Sequence, residues 1–479
     1  MTRRGYDVVI VGAGPAGSSA ALTAAKAGAR VLVVDKRWEI GLPVQCAEYV
    51  PRQIRWHVPW CSDWIAQGIA VMCTHLPDGE VVETPAAGYV IHRDRFDQGL
   101  AEAARQAGAD VWTATQALEP SAEGLVIRQG REAFEVGATV IVGADGPQST
   151  VAGWVGQGKK KMLVAAQCRV HLEKPVEATQ VYFDPFYVGG YGWLFPKGGV
   201  ANVGVGVSGN GGPSPKEALA HLLDKVEIRP SAVIGYSGGL IPCAGPLEHT
   251  WQRNVILVGD AAGQTHPITG AGVAHACLGG QMAGRAAAKA ALSGDLDALS
   301  EYEQEWRDYL GGVLAHAVAK RRFLEEGWSR EPAALSALVR QTWVAFPAYG
   351  RIADGRQPSA ISHRLSAICQ LEVNHGKSSI RPDQPGGGYH PRPYGRAFPP
   401  RRPVDRAQPV AHLSGWLYRA VQLLRPVPKP GVGHRRQAYL HPRPVANLSA
   451  GRDHRPHQGR GWAAQTGLRV HDHPPAGLR

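Results

Sequence analysis

Apolar positions along the chain change period several times, and each change predicts a different element. Val8-Val9-Ile10-Val11 is a continuous apolar run, as expected for a parallel strand covered on both faces. Gly12-Ala13-Gly14-Pro15-Ala16-Gly17 follows. Small residues over 20–27 then predict a helix, and residues 30–34 a second strand. Strand, glycine turn, helix and strand make a βαβ unit. Residues 93–106 have the spacing of an amphipathic helix. Residues 138–142 read as another buried strand, ending in Gly143-Ala144-Asp145-Gly146. From about 160 to 245 short strands such as 180–183 and 201–207 lie between glycine and proline turns. Residues 215–226 interrupt them as a helix, and the region predicts a largely antiparallel sheet. Val255-Ile256-Leu257-Val258 restores the buried-strand pattern and runs into Gly259-Asp260-Ala261-Ala262-Gly263. Helical patterns cover 272–292 and 297–326.

These shifts divide the 479 residues into a nucleotide-binding domain in three pieces (1–60, 93–158 and 251–292), with substrate-domain strands at 61–92 and 159–250. Helices follow over 293–375. Composition changes the picture beyond 376, where Pro, Arg, His and Gly dominate and glutamate is absent. This stretch carries sixteen arginines and two lysines against four aspartates, so the overall charge of +12 belongs to the tail and residues 1–375 sum to −2. Two readings of 376–479 stand side by side: a disordered basic extension or translation from a shifted frame. No nucleic-acid partner is expected for the catalytic body. The seven cysteines include no C-x-x-C pair, which points to neither a disulfide framework nor a metal site. No run approaches the length of a membrane span. The expected location is cytoplasmic, with peripheral contact at the cytoplasmic membrane face as an option.

The glycine turns carry the candidate chemistry. In the first, Gly12 permits a tight turn, Gly14 lets the backbone approach a pyrophosphate, and Gly17 lets helix and strand pack closely. Asp35 ends the second strand, where a carboxylate can accept hydrogen bonds from ribose hydroxyls. The second turn decides which dinucleotide. Asp260 at a strand end suits the ribityl hydroxyls of a flavin, which NAD lacks. Pro267-Ile268-Thr269-Gly270-Ala271-Gly272 lets backbone pass beside a flat ring and opens a helix whose positive end faces it. The cofactor read from the pair is FAD.

Both turns, with Gly143 to Ser149, resemble the p-hydroxybenzoate-hydroxylase-type flavoproteins. Within that superfamily the chain is similar to the geranylgeranyl reductase family. Pro43-Val44-Gln45-Cys46-Ala47-Glu48 resembles that family's P-x-x-C segment. Tyr191-Gly192-Trp193-Leu194-Phe195-Pro196, with Gly204-Val205-Gly206, resembles its Y-x-W-x-F-P…G-x-G signature. The departures are Asp35 where many relatives have Glu, Tyr49 where glycine is common, and the tail. The resemblance covers about residues 5–375. It implies an α/β fold: a Rossmann-type FAD-binding domain, an inserted antiparallel substrate domain and C-terminal helices. It places Ala16, Asp35, Cys46, Ala47, Arg93, Ala117, Asp260, Gly272 and Val273 at FAD, beside Gly12, Gly14, Gly17, Gly259 and Gly270.

Aromatics at 191, 193 and 195 can wall an apolar groove, and glycines at 204 and 206 leave space for isoprene units. Tyr191, Trp193, Phe195, Gly204 and Gly206 are therefore the candidate substrate residues. Cys46, Tyr191 and Trp193 are the candidate catalytic ones. A thiol beside the flavin can relay a proton, while a small buried hydrophobe is the plainer reading of any cysteine. His266 is expected to make a structural hydrogen bond.

The implied reaction is saturation of carbon–carbon double bonds in a prenyl lipid or prenyl diphosphate, with electrons from NAD(P)H or a ferredoxin-like protein. An aromatic or quinone-precursor monooxygenase of the same fold is the nearest rival. A prenyl-lipid binding protein without redox activity is the rival from another class.

Overall fold

The computed structural model describes residues 5–157, 161–209 and 211–351. The basic tail and residues 352–375 lie outside these, and so do the readings made for them. Contacts divide the chain into two units, Met1–Pro382 and Asp383–Arg479, and all that follows concerns the first.

Two eight-stranded sheets make up this unit. In the nucleotide sheet Gly5–Val11 lies between Val31–Val34 and Glu132–Gly143, parallel to both. Val255–Leu257 and Asp110–Trp112 extend it on either side, also parallel. Alternation along Gly5–Val11 explains why the run is apolar throughout. Val8 and Ile10 face helices Pro15–Lys26 and Val273–Ser293, while Val9 and Val11 face a cluster containing Ala117, Leu125 and Val151. Helices Pro15–Lys26 and Val273–Ser293 pack tightly. A Cβ on Gly280 would lie 2.3 Å from the Ala16 carbonyl oxygen, and one on Gly284 2.4 Å from that of Ala20.

The second sheet runs in the order Val233–Pro242, Met162–His171, Val200–Ser208, Tyr191–Lys197, Thr179–Tyr182, Ile65–His75, Val81–Ile91, Tyr49–Pro51. Every pair is antiparallel except Thr179–Tyr182 with Ile65–His75. Tyr49–Pro51 pairs with Gly88–Val90, so this strand, placed by sequence in the nucleotide domain, hydrogen-bonds to the substrate sheet instead. Cys168, Val203, Val205 and Leu194 on one face meet helix Pro215–Lys225 through Ala218, Leu219 and Leu222. The other face carries Trp193, Phe195, Asn202 and Gln167.

The helical pattern over 297–326 resolves into several contiguous helical segments. A 3-10 turn Leu296–Leu299 and helix Ser300–Trp306 lead into a π turn Arg307–Gly311, then helix Gly312–Glu326. The adjacent Gly311 and Gly312 weaken the α ladder there, and the π turn keeps both Trp306 and Leu310 in the nucleotide-domain core. Among the described residues no helix is long and apolar enough to cross a membrane.

Candidate active site

One cavity of about 1750 Å³ runs between the two sheets. Pockets for a single drug-sized ligand are roughly 300–1,000 Å³, so this one has room for a dinucleotide and a second molecule. At one end Gly14, Pro15 and Ala16 line it, at the start of a helix that Gly14 caps without a side chain. The free N–H groups and positive dipole end of such a helix suit a pyrophosphate. Gly12 and Gly17 act one layer back. A Cβ on Gly12 would sit 2.4 Å from the Ala144 carbonyl oxygen, and one on Gly17 1.8 Å from the Gly12 carbonyl oxygen. Asp35 also stands behind the turn. Its Oδ2 accepts the Ala13 N–H and its Oδ1 the Arg37 N–H, each at 2.8 Å.

The second turn reaches the same cavity from the other side. Asp260, Gly270, Gly272 and Val273 line it, and Gly272 caps the 21-residue helix Val273–Ser293. Thr265 Oγ1 donates to Asp260 Oδ1 at 2.5 Å. Gly259 lies beneath, with its φ at +65° and a would-be Cβ 3.0 Å from that of Ala16. Two helix N-termini 258 residues apart in sequence, at Pro15 and Val273, thus face one space, which is the arrangement a flavin dinucleotide needs. His266 sits behind this turn, where its Nδ1 accepts the Thr269 N–H at 3.3 Å. Burial pushes its pKa down from 6.5 to about 3, so it is neutral.

The aromatic motif forms the opposite wall. Tyr191, Trp193 and Phe195 all line the cavity, joined by Trp343, whose ring meets Tyr191 edge-on at 5.0 Å. Two expectations are corrected here. Gly204 and Gly206 are not among the lining residues. Gly204 pairs with Trp193 on one side and Gln167 on the other. The indole lies across the glycine and donates Nε1 to Gln167 Oε1 at 2.9 Å. A Cβ on Gly204 would be 2.4 Å from the indole, so the glycine makes room for tryptophan and not for substrate. Nor do Tyr191 and Trp193 offer free protons. The Tyr191 hydroxyl donates to the Thr269 carbonyl at 2.5 Å, and burial raises its pKa above the ordinary value. Both residues act as walls.

The loop 43–48 crosses between the two ends. Cys46, Ala47 and Glu48 line the cavity together with Arg93 and Asp97. Cys46 Sγ accepts the Glu48 N–H at 3.2 Å, and the Arg93 guanidinium lies alongside. Arg93 also binds Asp97 through Nε–Oδ1 (3.1 Å) and Nη2–Oδ2 (3.0 Å). Burial alone would lower the Arg93 pKa, but Asp97 and Cys46 outweigh it and hold the group above its ordinary value. Ala117 is not brought to the cavity. It lies in strand Thr115–Pro120 within the apolar cluster under the nucleotide sheet.

Sequence reasoning missed several residues at this site. Glu48, Lys197, Asn202 and Gln167 form a polar layer behind the loop. The period-two pattern of Trp193, Phe195 and Lys197 was a usable signal, because it puts Lys197 on the cavity face. Lys320 lines the far end and donates to the carbonyls of Gln341, Ala348 and Arg351 at 2.9, 3.3 and 2.6 Å. Those bonds tie residues 341–351 across the chamber. No group of three His, Cys, Asp or Glu that could hold a metal ion occurs among the described residues.

A nucleotide sheet with a parallel core and a largely antiparallel second sheet, closing one cavity over two glycine turns, define a flavin-dependent oxidoreductase. Residues 10–70 match the model for an NAD(P)-binding Rossmann-like domain, and 162–241 that for a geranylgeranyl reductase catalytic domain. The digeranylgeranylglycerophospholipid reductase of Methanosarcina mazei is 38% identical over 333 residues, covering 64% of this chain and 81% of its own. Digeranylgeranylglycerophospholipid reductase 2 of Methanopyrus kandleri is 37% identical over 361 residues, covering 70% of this chain and 91% of its own. A crystal structure of a geranylgeranyl bacteriochlorophyll reductase-like protein from Thermoplasma acidophilum superposes with a TM-score of 0.63 at 28% identity, covering 71% of this chain and 97% of that one. The chain belongs to the geranylgeranyl reductase family of FAD-dependent oxidoreductases.

Proposed function

We propose that this protein saturates the double bonds of geranylgeranyl chains carried on a glycerophospholipid. The observation that carries the reading is the single cavity that joins the dinucleotide turns to the apolar chamber walled by Tyr191, Trp193, Phe195 and Trp343. Bound, reduced FAD supplies a hydride to one carbon of the alkene. The protein's part is placement. An unactivated alkene has no carbonyl to polarise, so the aromatic wall must hold it against the ring in a dry site.

The other alkene carbon needs a proton. Cys46 is the cavity-lining residue assigned that role. Its sulfur accepts the Glu48 N–H, which leaves the thiol hydrogen for a partner in the cavity. The proposed electron donor is NAD(P)H or a ferredoxin-like protein, and reduction rates with each donor separate the two. Peripheral contact with the membrane that holds the lipid is part of the same proposal.

The test is anaerobic reduction of the FAD-loaded protein with a panel of prenyl lipids, followed by mass spectrometry. Gain of two hydrogens per double bond in the glycerophospholipid is the expected result. Oxygen-dependent hydroxylation, with no saturation under anaerobic conditions, would overturn it in favour of a monooxygenase. A purified protein that binds prenyl lipid but no FAD would point to a carrier.

A further inference from the structure

Three consecutive loop residues are gripped by three different strands of the substrate sheet. Gln167, on Met162–His171, donates Nε2 to the Cys46 carbonyl at 3.1 Å. Asn202, on Val200–Ser208, donates Nδ2 to the Ala47 carbonyl at 3.3 Å and to Glu48 Oε2 at 2.6 Å. Lys197, ending Tyr191–Lys197, donates Nζ to the same Oε2 at 2.6 Å. The other oxygen, Oε1, accepts the N–H of Arg93 at 3.0 Å, and the Glu48 carbonyl accepts the N–H of Ile91 at 3.0 Å. Arg169 Nη2 stands 3.9 Å from Oε2 at the outer edge.

Glu48 is fully buried and Lys197 is 8% exposed. Burying an ion pair costs desolvation that its attraction barely offsets, so stability is a poor reason for it to be there. The backbone offers a better one. Glu48 has φ +74°, a left-handed conformation that a residue with a Cβ holds only where its surroundings over-determine it. Here the surroundings are the five bonds to its carboxylate, carbonyl and preceding peptide. The turn they hold is the one that carries Cys46 and Ala47 to the cavity surface.

We propose that Glu48, clamped by Lys197 and Asn202, is a positioning residue that sets the Cys46 thiol and the Ala47 backbone against the bound flavin. This rests on the FAD-cavity reading above. Gln167 adds a link from the same loop to the aromatic wall, because its Oε1 holds the Trp193 indole. Placement of the thiol and placement of the alkene therefore share one polar layer.

The test uses the full-length, FAD-loaded protein and the variants K197M, N202A, E48Q and E48Q/K197M. Alkylation of Cys46 by iodoacetamide is followed by peptide mass spectrometry, with Cys61, also half-buried, as the internal reference. Visible circular dichroism of bound FAD is recorded alongside kcat and KM. Thiol reactivity follows local environment and access, so K197M and N202A are expected to change the Cys46 rate by about 5-fold or more relative to Cys61. They are also expected to alter the flavin dichroism. An effect on placement in the transition state lowers kcat, here by about 10-fold, with KM within about 2-fold.

The double variant leaves no orphan charge. It is expected to recover the melting temperature lost in K197M without recovering the Cys46 rate. Folded variants with wild-type Cys46 reactivity and flavin dichroism would overturn the proposal, and N202A and E48Q/K197M decide it if K197M fails to fold. Shifted reactivity and dichroism in a protein that saturates no lipid would uphold the clamp while sinking the reductase reading.

Discussion

Cys46 reaches the cavity through its backbone as much as through its side chain, since its carbonyl is held by Gln167 and its sulfur by the Glu48 N–H. If the thiol supplies the proton, Cys46→Ala should lower kcat by about 10²-fold, within the range for a general acid, and leave FAD binding intact. Serine at 46 should retain part of the rate. Steady-state turnover with flavin content measured on the same samples checks this. Gly204 makes an independent prediction. Gly204→Ala drives a Cβ into the Trp193 indole and should break its bond to Gln167, with an overpacking cost of about 1–3 kcal/mol. Denaturant unfolding reads the stability loss. Loss of lipid turnover with FAD retained would show that the indole serves the substrate side of the cavity.

At the level of elements, the two helices that present N-termini to the cavity also pack on each other along Gly280 and Gly284. That contact sets the distance between the two dinucleotide turns. Gly284→Val should push helix Val273–Ser293 off helix Pro15–Lys26, lower stability by about 1–3 kcal/mol and weaken FAD retention. Thermal unfolding and flavin release on dilution measure the two effects, and a destabilised protein with unchanged flavin affinity would mean the helices are not coupled to the site. The π turn Arg307–Gly311 belongs to this scale too. The helical pattern over 297–326 carries no sign of it, because a single extra residue in one turn leaves almost no trace in a pattern of period 3.6.

Across the whole molecule, histidines in and around the site make stability depend on pH. Burial first, then neighbouring histidines, holds His266 near a pKa of about 3. Burial also lowers His275 and His316. In the unfolded chain these groups take up protons near 6.5. Between about 6.5 and 3 the unfolded state therefore binds more protons than the folded one. Stability should be fully present above about 6.5 and fall as the pH drops toward 3. His266→Gln should flatten that slope, and urea midpoints across the acid range check it. His266 lies behind the second turn, and His316 lines the cavity beside the segment that Lys320 ties down, so acid is expected to loosen the flavin end of the cavity first.

The amino-acid sequence by itself determined what is local. Val8 to Val11, the turn from Gly12 to Gly17, Asp35, and the second turn at Gly259 and Asp260 stood out because each is a short contiguous pattern with one backbone solution. The same holds for the aromatic alternation from Tyr191 to Phe195. Only the tertiary structure decided what fills the space beside Gly204, why Ala117 stays in the core, and that Glu48 meets Lys197 across 149 residues of chain. A hydrogen bond between distant residues leaves no periodic mark on either segment. The volume next to a glycine belongs to whichever neighbour the sheet register brings there, and here register delivered a tryptophan.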